Sequence, residues 1–176
     1  MEATIEVTTT RFGQPETVQV PESSVMTFPD GLPGFDDVRT FALIEEEDHL
    51  PFRWLQPTED SSIAFILIDP TLVDPTYHPR IDLSSSRTDQ PQHQPSPQSS
   101  PRGRGSYGRH ECELTVLCIV AVRSENDITV NLRAPILIDR SRRVGKQEIL
   151  TDDRYAIQHV VNSPGALAPG AMPRCS

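Results

Sequence analysis

Polar and apolar residues alternate from the first dozen positions. In "ATIEVTTTRFGQPETVQV", Ala3 to Val20, the alternation continues on both sides of a Gly13-Gln14-Pro15 break, the pattern of two strands joined by a turn. The runs "SVMTF", "TFALI", "FRWLQ", "SIAFILID", "ELTVLCIVAV", "ITVNL", "PILID" and "KQEIL" are β-branched or aromatic and are separated by Pro, Gly, Asp or Asn, which brings the predicted strands to ten. A 3.6-residue period is never sustained long enough for a substantial helix. Only "GFDDVRTF" and "TDDRYAIQH" have room for a helical turn or two.

Two of the strands are apolar on both faces. They are Ile63 to Ile68 and Leu114 to Val122, where Leu114, Val116, Cys118, Val120 and Val122 share one face and Leu117, Ile119 and Ala121 the other. A small sheet buried on both sides has to fold over or close, so the pattern predicts an all-β domain, a small closed or rolled β-barrel with at most short helical turns. The stretch "FPDGLPGF", Phe28 to Phe35, puts fixed-φ prolines beside permissive glycines and reads as two successive tight turns. It is either a corner of the barrel with Phe28 and Phe35 turned inward, or a loop presenting Leu32 and Phe35 to a partner; the corner is the simpler reading.

Composition changes sharply in one place. Ser84 to His110 holds four Pro, seven Ser, four Gln and three Gly in 27 residues, with Tyr107 its one large apolar side chain. Such a segment cannot bury a core, so we expect a disordered loop within a domain spanning 1–160, with 161–176 a flexible tail. The formal charge is −9, and because the 84–110 segment carries +3, the remainder carries −12. That excess opposes nonspecific binding to nucleic acid or anionic lipid and favours a basic protein partner. Three cysteines with no framework spacing, no export signal and no apolar run of bilayer length lead us to expect a cytoplasmic protein. Cys112 and Cys118, six apart in one expected strand, are roughly 20 Å apart and cannot bridge within it.

Catalytic constellations are absent at the level of motif: no GxSxG, phosphate loop, HExxH or CxxC occurs. His110-Glu111-Cys112 lacks a second ligand pair at zinc spacing. Asp152, Asp153 and His159 have the residue types of an acid-base group, but Asp at the start of a helical turn is the plainer reading. "GRGSYGRH" interleaves arginine with an aromatic, as RNA-binding tails do, and leaves an orphan RNA-binding module as the alternative function. In "VNLRAPILID" Pro135 removes a ladder donor, so the strand is expected at an edge or bulged there, with Arg133 two residues earlier and Asn131 on the same face.

Taken in order, "TRFG", "FPDGLPGF", "PFRWLQ", "FILIDP", "VNLRAPILI", "GKQEIL" and "RYAIQH" resemble the flagellar assembly factor FliW family over Ile5 to His159, the 84–110 segment excepted. The resemblance implies a bacterial cytoplasmic, noncatalytic β-barrel protein without cofactors. It implies two protein partners, flagellin and the RNA-binding translational repressor CsrA, whose hold on flagellin mRNA the protein relieves. No direct nucleic-acid or membrane contact is expected, and the free protein is expected to be a monomer. The candidate exposed recognition residues are Asp69, Asn131, Arg133 and Leu32. One departure stands out: after "YHPRIDLS" the family continues with a short acidic, helix-prone connection, which 84–110 replaces through either an insertion or a local frame slip.

Overall fold

In the computed structural model the described residues are 2–81, 114–124 and 127–161. The expectations for 84–110, for His110-Glu111-Cys112 and for the tail beyond Val161 lie outside them. Eleven strands form: β1 (Thr4–Thr9), β2 (Glu16–Pro21), β3 (Val25–Thr27), β4 (Thr40–Ile44), β5 (Arg53–Pro57), β6 (Phe65–Ile68), β7 (Leu114–Ser124), β8 (Asp127–Val130), β9 (Ile136–Asp139), β10 (Val144–Gln147) and β11 (His159–Val160).

Seven of them close a ring in the order β7-β6-β5-β4-β3-β10-β9 and back to β7. Closure depends on the length of β7. Its start, Leu114 to Leu117, pairs with β9, Cys118 to Val120 pair with β6, and its end pairs with β8, which carries β11 on its far side. β1 and β2 form a separate hairpin with Val7 opposite Val18 and Ile5 opposite Val20.

Alternation along the strands supplies two cores. Phe41, Leu43, Leu55, Leu67, Leu117, Ile136 and Ile138 point into the barrel together with Met26, Phe28 and Leu32. Their neighbours Ala42, Ile44, Trp54, Ile68, Cys118 and Val120 point outward and are covered by Val7 and Val20 of the hairpin and by Ile128 and Val130 of β8. The two apolar faces of β6 and β7 thus correspond to two distinct burial sites.

Three expectations are corrected. Neither "GFDDVRTF" nor "TDDRYAIQH" is helical; single 3₁₀ turns occur instead at Glu22–Ser24, Glu47–His49 and Pro70–Leu72. "VNLRAPILID" is not one edge or bulged strand, because residues 131–135 form the turn between β8 and β9. The Asn131 Oδ1 stabilises that turn by accepting the N–H groups of Arg133 at 3.2 Å and Ala134 at 3.0 Å. Val161, assigned to the tail, is core: it is 9% exposed and donates its N–H to Ile128 O at 3.0 Å.

"FPDGLPGF" is the corner. Gly31 N–H reaches Phe28 O at 3.0 Å and Phe35 N–H reaches Leu32 O at 2.7 Å, closing the two turns. Gly31 has φ +69°, and a Cβ there would lie 2.6 Å from Phe35 O, so only glycine fits. Phe28 is fully buried and Phe35 packs edge-on against Phe65 at 5.2 Å.

Gly145 on β10 lets the Phe28 ring approach the backbone, since a Cβ there would lie 2.3 Å from the ring. The ring has no room to move away among Met26, Leu32 and Phe41. Gly145→Ala is therefore expected to cost about 1–3 kcal/mol in urea unfolding through overpacking. Combined with Phe28→Leu, it should cost less than the sum of the single changes.

Candidate protein-docking surface

The structure disperses the four candidate residues. Leu32 is 1% exposed and belongs to the barrel core, which corrects the expectation that it is presented at the surface; its β-bridge to Phe35 folds the double turn over the end of the barrel. Asp69 follows β6 and caps the turn after it, its Oδ1 accepting from the Thr71 N–H at 2.9 Å and hydroxyl at 2.6 Å. Asn131 stabilises the β8–β9 turn as described. Arg133, half-buried, donates from Nε to Leu150 O at 3.3 Å and pairs with Asp153. Each of the three polar residues therefore has a structural task at a half-buried position.

Tyr77 links their surroundings. Its hydroxyl donates to Leu132 O at 2.9 Å, inside the turn that carries Asn131 and Arg133, and its ring lies 4.7 Å from that of Tyr155. A groove of about 570 Å³ runs past it, with Arg53, Asp69, His78, Ile81 and Val116 in its walls. Cys118 lies beneath, its Sγ 3.9 Å from the Tyr77 oxygen. Burial pushes the Cys118 thiol up to about 12 and moves the Tyr77 phenol upward as well.

Cys118 is thus a packed apolar group with no access to a thiolate. In a Cys112→Ser, Cys175→Ser chain, we expect no native-state reaction with a disulfide reagent at pH 8 and one reactive thiol in guanidinium.

The acid-base residue types do not converge. Asp152 is bonded by the Arg154 guanidinium, whose hydrogen bonds and charge hold its carboxyl near 2. Asp153 pairs with Arg133, and His159 lies on β11 opposite Val130. Among the described residues, no group of three His, Cys, Asp or Glu side chains is placed to hold a metal. No helix among them is long and apolar enough to cross a membrane.

Charge is unevenly divided along the chain. Residues 2–81 hold fifteen carboxylates against four arginines. Arg11 is committed to Glu16 and Glu46, and Arg53 to Glu45. The double turn therefore presents Asp30, Asp36 and Asp37 exposed, beside a depression of about 330 Å³ whose other wall is Lys146, Gln147 and Glu148 of the β10 segment. The large apolar side chains Ile149 and Ile157 are exposed. Ile149 adjoins Leu150, whose N–H reaches Arg133 O, and Ile157 adjoins Ala156, whose carbonyl accepts from Leu132 N–H at 3.1 Å.

Sequence reasoning overlooked the acidic wall, although "PDGLPGFDD" concentrates three carboxylates in nine residues. It could not find the wall across from it, which depends on a pairing between residues far apart in the chain.

The family model described as "FliW protein" matches residues 6–161. The "Flagellar assembly factor FliW" of Natranaerobius thermophilus is 33% identical over 172 residues, covering 96% of this chain and 100% of that protein. The protein of the same name from Leptospira interrogans serovar copenhageni is 32% identical over 166 residues, with 94% and 99% covered. A crystal structure of the flagellar assembly factor FliW superposes with a TM-score of 0.66 at 28% identity, covering 90% of this chain and 96% of that one.

Proposed function

Because the chain belongs to the FliW family of flagellar assembly factors, we propose that it works by noncatalytic protein binding, with flagellin and the translational repressor CsrA as its partners. Binding CsrA lifts repression of flagellin mRNA, and export of flagellin frees the protein for that role. The observation that supports this mode of action is the filled barrel: Phe28, Phe41, Leu55, Leu67, Ile136 and Ile138 are each 0% exposed. A barrel packed with side chains offers its partners an outer surface and no interior ligand chamber. The excess of carboxylates on residues 2–81 suits a basic RNA-binding partner, because complementary charge speeds encounter and fixes register. The protein acts in the cytoplasm, as a monomer when free, without cofactor or direct contact with nucleic acid.

Pull-down with purified CsrA at low and high ionic strength tests the reading. Retention at low salt that weakens at high salt is expected, together with a flagellin complex. Absence of both complexes at both salt concentrations would sink it.

A further inference from the structure

The depression beside β10 indicates how a partner is held. β10 pairs with β9 along its whole length but meets β3 at the single parallel pair Val144–Thr27. The register with β9 continues beyond the strand, with Glu148 N–H on Pro135 O at 2.9 Å and Leu150 N–H on Arg133 O at 2.8 Å. In an antiparallel ladder the intervening residues aim N–H and C=O at the opposite side. Gln147 and Ile149 therefore turn their backbone groups away from β9, and among the described residues no strand receives them. Among the described residues this leaves an open edge at Gln147 facing the double turn, with the depression of about 330 Å³ between them.

Two features select the occupant. Alternate outward N–H and C=O groups recognise extended backbone. The facing wall carries Asp30 and Asp36, both exposed and without an ion pair among the described residues, whereas Lys146 across the depression lies 2.7 Å from Glu148. We propose that this seam binds an extended, lysine- or arginine-bearing segment of a partner protein, which adds as a strand along β10 and sets its cations against Asp30 and Asp36. The proposal rests on the reading of the chain as a binder of a basic protein, and adds where and in what conformation that partner docks.

The test uses the full-length chain and an acetylated, amidated (Lys-Val)4 peptide, followed by amide NMR. Shifts and slowed exchange are expected at Gln147 and Ile149, with none from (Glu-Val)4. Gln147→Pro removes the outward N–H while sparing the bonds to β9, and Gln147→Ala controls for the side-chain bond to Ala134 O at 2.9 Å. Gln147→Pro is expected to weaken binding at least about tenfold, as is Asp30→Lys with Asp36→Lys on the exposed turn, whereas Gln147→Ala should stay within about twofold. Should Gln147→Pro lose the native spectrum, the charge-reversed chain decides alone.

Seam amides unmoved by the lysine peptide, or moved equally in Gln147→Pro and the charge-reversed chain, overturn the proposal. A CsrA complex untouched by these changes also overturns it while leaving the proposed function standing. If neither CsrA nor flagellin binds the wild-type chain, the proposed function fails and the peptide spectra still decide the seam.

Discussion

Phe41→Ala is expected to lower unfolding free energy by about 3–5 kcal/mol, a large share of the ~5–15 kcal/mol typical of a whole domain. Phe41 is 0% exposed and belongs to the barrel core. Its ring is edge-on to Phe28 at 4.9 Å and tilted to Phe65 at 6.4 Å, and Phe65 in turn meets Phe35 of the double turn edge-on. Truncation removes the transfer energy of the ring and leaves a void that a closed ring of strands cannot collapse to fill, since each strand is held by two neighbours. Urea unfolding should show a lowered midpoint with an unchanged slope. Phe41→Leu should cost well under half as much, because most of the volume is kept. A cost below about 1 kcal/mol for the alanine change would mean that the barrel relaxes inward and is not the rigid closed ring described here.

That rigidity was largely legible in the primary structure. The alternation in "TFALI" and "LTVLCIVAV" is read by the fold as it stands: odd positions such as Phe41 and Leu117 enter the barrel, while their neighbours Ala42 and Cys118 enter the outer core. A period of two is a local property, so it survives without knowledge of partners. The closing pair β7–β9 and the single contact β10–β3 were not legible, because they depend on register between distant segments. The misplaced helical turns have a similar cause. "GFDDVRTF" has the composition of a helix start, but Phe35 is already engaged by Leu32, and its segment is drawn out along the corner.

The docking surface was less legible for a physical reason. Asp69, Asn131 and Arg133 attract attention as polar residues beside apolar strands, and that position also suits a side chain that caps a turn or bridges two loops. The carboxylates Asp30 and Asp36 looked like ordinary turn residues. Their setting becomes distinctive only through Gln147 and Ile149, more than a hundred positions away.

Arg11→Ala is expected to cost about 3 kcal/mol and to change how stability responds to acid. The Arg11 side chain is 2% exposed, with Nε 2.7 Å from Glu16 and Nη2 2.8 Å from Glu46. Its guanidinium lies 4.8 Å from the Phe12 ring centre and 4.9 Å from that of Trp54, and His49 completes the cluster by bonding Glu46 at 2.8 Å. Among the described residues the β1–β2 hairpin shares no ladder with the barrel, so these contacts, the apolar inner face and the Thr10 hydroxyl on Ser61 O at 2.6 Å hold it in place. Lysine in place of Arg11 should recover little, since one point charge cannot serve two carboxylates and two rings together. Burial draws the Glu46 carboxyl upward, but the hydrogen bond and charge of Arg11 and the bond from His49 outweigh it, and the group is held below its usual 4.5. Glu45 is lowered in the same way, burial opposing and Arg140 and Arg53 prevailing. A carboxyl depressed in the folded state contributes stability above its unfolded value and loses it as pH falls through the folded one, so the wild-type chain should weaken progressively below 4.5. In Arg11→Ala the part of the Glu46 share that Arg11 supplies is absent at every pH, while the smaller part from His49 and the Glu45 share persist. Urea titrations between neutral pH and about pH 3 should therefore show a shallower decline for the variant, the two curves converging as acid removes from the wild type what the mutation has already taken. Parallel curves would place the acid sensitivity elsewhere and deny the Arg11 cluster its part in holding the hairpin.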